Sequence, residues 1–146
     1  MTPPIPDDPC RDEPLRLALP GPPRVRVVEV VATGTNGGAQ EHVYSLLSRL
    51  DRSRYDVSLV SLSHGSSVRR FTRLGVPVLV LDEPDDAVAV GALATHLADV
   101  GPDVVHSHMF RAETVGTRAA IALGRAGHRR PRGVHAGHGA VRGAGR

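Results

Sequence analysis

The pattern of apolar and polar residues along residues 24–124 predicts strands and helices in alternation. Residues 25–31 are rich in valine, as in a strand buried on both faces. The apolar residues that follow, from Ala39 to Leu50, recur at helical spacing. This change from a strand pattern to a helical pattern occurs three more times along the chain. The predicted strands cover residues 25–31, 55–62, 76–81 and 104–107, and the apolar helical stripes between and after them cover residues 39–50, 68–74, 90–98 and 112–123.

Regular alternation of strands and helices is typical of a parallel sheet with crossover helices. We therefore predict an α/β fold, a single Rossmann-like, doubly wound parallel sheet with strand order 3-2-1-4-5. In that order the first and fourth strands are neighbours at the point where the order reverses. The loop at Gly37-Gly38 and the turn at residues 106–110 then face one crevice, which is where open α/β sheets bind ligands.

Local signals mark where the predicted helices begin and end. Ser66 or Ser67 can cap the second helix, and Asp85 or Asp86 can cap the third. Gly101-Pro102 ends the third helix before the fourth strand.

Composition changes at both ends of the chain. The first 24 residues hold eight of the twelve prolines, and residues 124–146 hold seven glycines and six arginines. We predict a disordered extension over residues 1–23, the folded domain over residues 24–124, and a poorly ordered tail over residues 125–146. Within that tail, residues 133–136 are predicted to form a short fifth strand.

Charge and composition exclude several classes of function. All 18 basic residues are arginine and only four residues are aromatic, so the chain lacks a stacking platform for nucleic acid. Cys10 is the only cysteine, which is typical of a reducing, cytoplasmic setting. No apolar stretch has the length of a membrane span, so we expect at most peripheral membrane contact.

Two segments carry candidate chemistry. The amides of Gly37 and Gly38, at the start of a helix, suit a phosphate or carboxylate, although the glycines can equally serve a tight turn. The chain has neither the spaced three-glycine dinucleotide fingerprint nor a P-loop lysine. His106 and His108 share one face of the fourth strand, but no carboxylate or cysteine lies at metal-site spacing nearby, so we predict no metal site. We expect His106 to fix the loop or cap the fourth helix, and His108 to face a ligand.

These segments resemble the N-terminal domain of glycosyltransferase family 4, whose two-domain enzymes have the GT-B fold. The resemblance rests on Gly37 to Val43, Leu46 to Leu50, Asp56-Val57, Pro102 to His108, and Gly116. It implies a retaining transferase with a nucleotide-sugar donor as co-substrate and no separate cofactor. This half of the enzyme would recognise the acceptor, a small molecule or glycolipid, and the C-terminal half would hold most of the donor.

The resemblance also implies site residues. The substrate-binding residues would lie at the two strand tips, at Gly37, Gly38, Gln40, His108 and Phe110. His135 and His138 resemble the catalytic histidine element that follows the fifth strand. Because a donor-binding domain is not visible in the sequence, we expect a truncated enzyme that is inactive alone. Two alternatives remain: a non-catalytic α/β binding module, and half of another GT-B enzyme such as a sugar epimerase.

Overall fold

A computed structural model describes residues 21–137 as one five-stranded, all-parallel sheet with four helices. The predicted strand order β3-β2-β1-β4-β5 is confirmed. The predicted N-terminal extension lies outside the described residues except for residues 21–23. The elements are β1 (Val25–Val31), α1 (Gly38–Arg49), β2 (Tyr55–Ser61), α2 (Ser67–Arg73), β3 (Val78–Val80), α3 (Asp86–Val100), β4 (Val104–His108), α4 (Phe110–Arg125) and β5 (Gly133–Ala136).

Two apolar cores cover the two faces of the sheet. Val28 and Val30 of β1 point to the face packed by Leu93 of α3 and Val115 of α4. Alternate residues of β1 and β2 point to the other face, where α1 and α2 pack through Val43, Leu47 and Phe71. This is the two-sided burial that the valine-rich pattern of β1 predicts. Within residues 21–137, the core on the α1 side contains no residue of β4 or β5.

The predicted helix signals are confirmed for α3 and wrong for α2. Asp85 accepts hydrogen bonds from the amides of Ala87 and Val88, and Gly101 ends α3 in the left-handed conformation. Ser66 makes no side-chain cap to α2. Ser67 instead donates its hydroxyl hydrogen to the carbonyl of Gly34, at 2.7 Å, because the loop after β1 lies closer than the helix end.

Close packing of α4 on β4 depends on a glycine. A Cβ added at Gly116 would lie 2.4 Å from Oγ of Ser107. The Ser107 hydroxyl is buried and has no hydrogen-bond partner among the described residues. The α4 backbone therefore lies against β4 at a distance that only glycine permits.

The fifth strand forms although its composition resembles that of disordered chain. β5 pairs in parallel with β4 from Val104 opposite Gly133 to Ser107 opposite Ala136, so the predicted strand at residues 133–136 is confirmed. The amide of Gly137 then donates to the carbonyl of Ser107, at 2.8 Å. The sheet thus continues past residue 124, the end of the folded domain expected from composition. None of the helices among residues 21–137 is long and apolar enough to cross a membrane.

Candidate functional site

The two predicted strand tips meet, as the strand order requires. β1 and β4 pair in parallel, with Val31 opposite His108 at the last pair. Beyond the strands, Nε2 of Gln40 lies 3.8 Å from Sδ of Met109, and the rings of His42 and His108 are 6.1 Å apart. The loop after β1 and the turn after β4 therefore line one crevice at the carboxyl edge of the sheet.

The loop after β1 is held in place by its backbone. A Cβ added at Gly65 would lie 1.9 Å from the carbonyl carbon of Gly34, so the loops after β1 and β2 touch through two glycines. Ser67 reinforces this contact by donating to the carbonyls of Gly34 and Thr35. Gly34 thus serves packing, and the exposed part of the loop is further along, at residues 35–38.

The glycines at the start of α1 are exposed, and Gly38 faces open space. Gly37 is the N-cap residue in extended conformation, and no side chain caps the helix. A Cβ at Gly38 would meet nothing within 4 Å. Backbone amides at an uncapped helix start are oriented to donate hydrogen bonds to an anion. Packing alone does not require glycine at position 38, which favours the binding interpretation over the tight-turn one.

Gln40 and Phe110, both predicted to bind substrate, occupy different environments. Gln40 is 2% exposed and donates its side-chain amide to the carbonyl of Thr33, at 2.8 Å, so it holds the loop. Phe110 is 84% exposed at the first turn of α4. It follows Met109, a non-glycine residue at φ 75°, a sparsely populated conformation typical of functional turns. Phe110 is therefore presented at the crevice edge, and Gln40 supports the crevice from beneath.

A buried carboxylate lies between the two histidines of β4. Nε2 of His108 donates to Oε2 of Glu29, at 2.7 Å, and Nδ1 of His106 lies 3.0 Å from the same oxygen. The side chains of Glu29 and His108 are each 4% exposed, and that of His106 is 25% exposed. Glu29 on β1 is directly opposite His106 in the sheet register. The sequence analysis missed Glu29 because its partners are distant along the chain.

Glu29 and His106 shift each other's proton affinity. Burial acts to raise the pKa of Glu29, but the hydrogen bonds and charges of His106 and His108 together outweigh it and hold that pKa below its ordinary value. The hydrogen bond to Glu29 raises the pKa of His106, against the opposing effect of burial. A negative carboxylate and a protonated His106 therefore stabilise each other inside the sheet.

The predicted roles of His106 and His108 change with this geometry. The expectation that His106 caps α4 or fixes the loop is wrong: its imidazole contacts Glu29, and no side chain caps α4, whose N-cap residue is Met109. The predicted ligand-facing residue, His108, is the more buried of the two, because β4 continues through it instead of ending at Ser107. His106 is the histidine with access to solvent.

One of the two predicted catalytic histidines, His135, lies next to this cluster in the sheet. His135 is exposed on β5 and is opposite His106 in the register, so both point to the face of the sheet packed by α1. His138, the other predicted catalytic residue, lies outside the described residues. Among residues 21–137, the histidines of β4 and β5 thus form one polar strip next to the crevice.

Comparisons with known proteins agree with this fold. The family model of the glycosyl transferase 4-like domain matches residues 37–146, well over half of the chain. No curated protein sequence matches at a significant level. The apo form of the lipopolysaccharide outer core galactosyltransferase WaaB superposes with a TM-score of 0.58 over 68% of this chain and 30% of that one, at 10% sequence identity. Glycinamide ribonucleotide transformylase 1 from Symbiobacterium toebii reaches a TM-score of only 0.45, with 20% identity over 57% of this chain and 41% of that one.

The similarity to WaaB lies in the fold, and this chain spans 30% of WaaB's length. The family match includes the exposed glycines, the tip of β4 and the histidines of β4 and β5, and it begins after β1. With the five-stranded parallel sheet, it shows that the chain belongs to the family of glycosyl transferase 4-like domains.

Proposed function

We propose that this domain is the acceptor-binding half of a retaining glycosyltransferase that uses a nucleotide-sugar donor. The observation that carries the proposal is the exposed, uncapped start of α1, at Gly37-Gly38, beside the tip of β4. The family membership gives the reaction class, and the crevice gives a place where a phosphate and an acceptor can meet.

The crevice divides naturally into a polar and an apolar side. The amides of Gly37 and Gly38 would bind phosphate oxygens of the donor, because the helix dipole and the free N–H groups favour a negative charge there. Phe110, across the crevice, would contact an apolar or sugar face of the acceptor. His135 and His138 would lie near the reacting sugar as donors of hydrogen bonds or protons.

Transfer from such a donor leaves negative charge on the departing diphosphate. That charge must be stabilised by donors fixed on the far side of the sugar, with the acceptor held in line. The described domain supplies one wall of such a cleft. We therefore propose that the 146-residue chain does not turn over by itself and that a donor-binding domain of the same family would complete the site.

The test is to join the chain to a donor-binding C-terminal domain from a GT-B glycosyltransferase. Transfer and hydrolysis of UDP-glucose and GDP-mannose would be measured for the chain alone and for the fusion. We expect no turnover for the chain alone and measurable turnover for the fusion. A panel of fusions in which none hydrolyses or transfers either donor would contradict the proposal.

A matched pair of variants locates the activity in the crevice. Gly38→Asp and Gly91→Asp add the same charge at positions where a Cβ meets nothing within 4 Å. Gly38→Asp places a carboxylate where the phosphate would bind, so the fusion should lose activity at least about tenfold, or about 1.4 kcal/mol of transition-state stabilisation. Gly91→Asp, on α3, should leave it unchanged. Equal activity of the two variants would show that Gly37-Gly38 does not bind the phosphate.

A further inference from the structure

We propose that Glu29, His106 and His108 form a binding site for a divalent metal ion, of which Zn²⁺ is the best-fitting example. This proposal does not depend on the glycosyltransferase reaction. It rests on three side chains that two neighbouring strands bring together on one face of the sheet.

The distances are close to those of a zinc site. One carboxylate oxygen and the two imidazole nitrogens all lie within 4.8 Å of one another, with the nitrogens at 2.7 and 3.0 Å from the oxygen. Zinc binds such atoms at about 2.0–2.2 Å, so ligand atoms around a tetrahedral ion are about 3.3 Å apart. Entry of the ion therefore requires each nitrogen to move away from the carboxylate oxygen by a few tenths of an ångström.

The chemistry of the ligand set is also appropriate. Two imidazoles and one carboxylate are a recurring protein ligand set for zinc and for iron(II), and a site with three protein ligands keeps a position open for water or substrate. On binding, each imidazole nitrogen would release its proton to solvent and direct its lone pair to the ion. The carboxylate would keep its charge and neutralise part of the ion's charge.

The open position has a route to solvent. His106 is the partly exposed ligand, and among residues 21–137 no residue of β4 or β5 belongs to the apolar core on that side of the sheet. His135, exposed and opposite His106 in the register, borders the same opening. A metal ion could reach the buried Glu29 and His108 past His106, the ligand closest to solvent.

The test is metal binding by the untagged chain after treatment with EDTA. Titration with Zn²⁺ by calorimetry should give one ion per chain with Kd below about 1 µM, equivalent to about −8.2 kcal/mol. Titration with Co²⁺ should give the intense visible absorption of a four- or five-coordinate ion. An absence of saturable binding, or only the weak spectrum of octahedral Co²⁺, would overturn the proposal.

Variants distinguish this cluster from the other histidines. His106→Gln and Glu29→Gln should each lower Zn²⁺ affinity by more than about tenfold, the scale that even indirect ligand contacts produce. His128→Gln makes the same change at an exposed histidine outside the sheet and should leave the affinity unchanged. His106 is half-buried, so its variant should keep the native circular dichroism spectrum even if Glu29→Gln does not fold. Equal affinity of His106→Gln and the native chain would mean that these groups form only a hydrogen-bonded cluster.

Discussion

At the scale of single residues, the unusual feature is a carboxylate in the middle of a valine-rich strand. A buried charge without partners is very costly, so Glu29 persists because His106 and His108 share one of its oxygens. This cluster joins β1 to β4 by side chains where their backbones already pair. It therefore fixes the relative position of the two strands that form the crevice.

Loss of the charge on Glu29 should destabilise the domain. Glu29→Gln keeps the shape of the side chain but removes charge-assisted hydrogen bonds, which are worth about 1.5–3 kcal/mol. We expect the free energy of unfolding in urea to fall by that amount. Glu41→Gln is the matched control, because Glu41 pairs with Arg70 on the surface, where an ion pair contributes little. A Glu29→Gln variant as stable as the Glu41→Gln variant would contradict this role.

The Glu29–His106 pair makes the stability of the metal-free chain depend on pH. His106 has a pKa raised above the ordinary 6.5, so its contribution is complete below pH 6.5 and is lost as pH rises through the folded value. Glu29 has a pKa lowered below 4.5, so its contribution is present above pH 4.5 and is lost as pH falls through the folded value. The pair should therefore stabilise the fold most between about pH 4.5 and 6.5.

A comparison of variants isolates this effect. In EDTA, the difference in unfolding free energy between the native chain and His106→Gln should be largest near pH 5.5 to 6 and decrease towards pH 8.5. His135→Gln, which removes an exposed histidine, should give a small difference with no such maximum. A His106→Gln difference that is constant from pH 5 to 8.5 would show that folding does not change the pKa of His106.

Sequence reasoning identified the histidines but not their partner. The spacing of His106 and His108 put both on one face, which is correct, yet the metal interpretation was set aside because no carboxylate lies nearby in sequence. Glu29 is 77 residues before His106, and only the pairing of β1 with β4 brings them together. A carboxylate within a run of β-branched residues was the available signal, because an unpaired charge is not tolerated there.

At the scale of elements, glycines decide how closely the strands, loops and helices approach. Gly65 and Gly116 leave no room for a side chain, whereas Gly38 and Gly91 face open space. The sequence alone does not distinguish these four glycines. Their difference depends on which backbone lies opposite, and that is set by the tertiary fold.

Two alanine substitutions should therefore have opposite effects on stability. Gly65→Ala forces the backbone of Gly34 to move, and overpacking of this kind costs about 1–3 kcal/mol. Gly91→Ala, on the exposed side of α3, should stabilise the domain by about 0.5–1 kcal/mol, because alanine is the better helix former. Thermal denaturation of both variants measures this. An unchanged melting temperature for Gly65→Ala would mean that the loops after β1 and β2 can separate freely.

The elements themselves were largely predictable. Strand and helix periods are strong in residues 25–123, where each element carries its own apolar pattern, and right-handed crossovers leave only a few possible strand orders. β5 was the difficult element, because Val134 is the only β-branched residue among residues 133–136. Its formation depends on pairing with β4 and on packing against α4, neither of which local composition reports.

At the scale of the whole molecule, β5 matters because it pairs with β4, which would otherwise be an exposed edge strand of the sheet. The amides of Arg132 and Gly133 donate to the carbonyl of Asp103, and that of Gly137 donates to Ser107. These bonds extend the ladder beyond the strand itself on both sides. Without them, the backbone of β4 and the half-buried His106 would face solvent beside the crevice.

Truncation tests this directly. A chain ending at Pro131 should lose on the order of 3 kcal/mol of stability, from backbone hydrogen bonds and the burial of Val134, which lowers the melting temperature by about 10 °C or more. It should also associate in size-exclusion chromatography, because an unpaired edge strand invites intermolecular pairing. A chain ending at Gly137 is the control, since it keeps all five strands and should melt close to the native chain. If both truncated chains melted at the same temperature, β5 would not contribute to the stability of the sheet, and the end of the domain would return to residue 124.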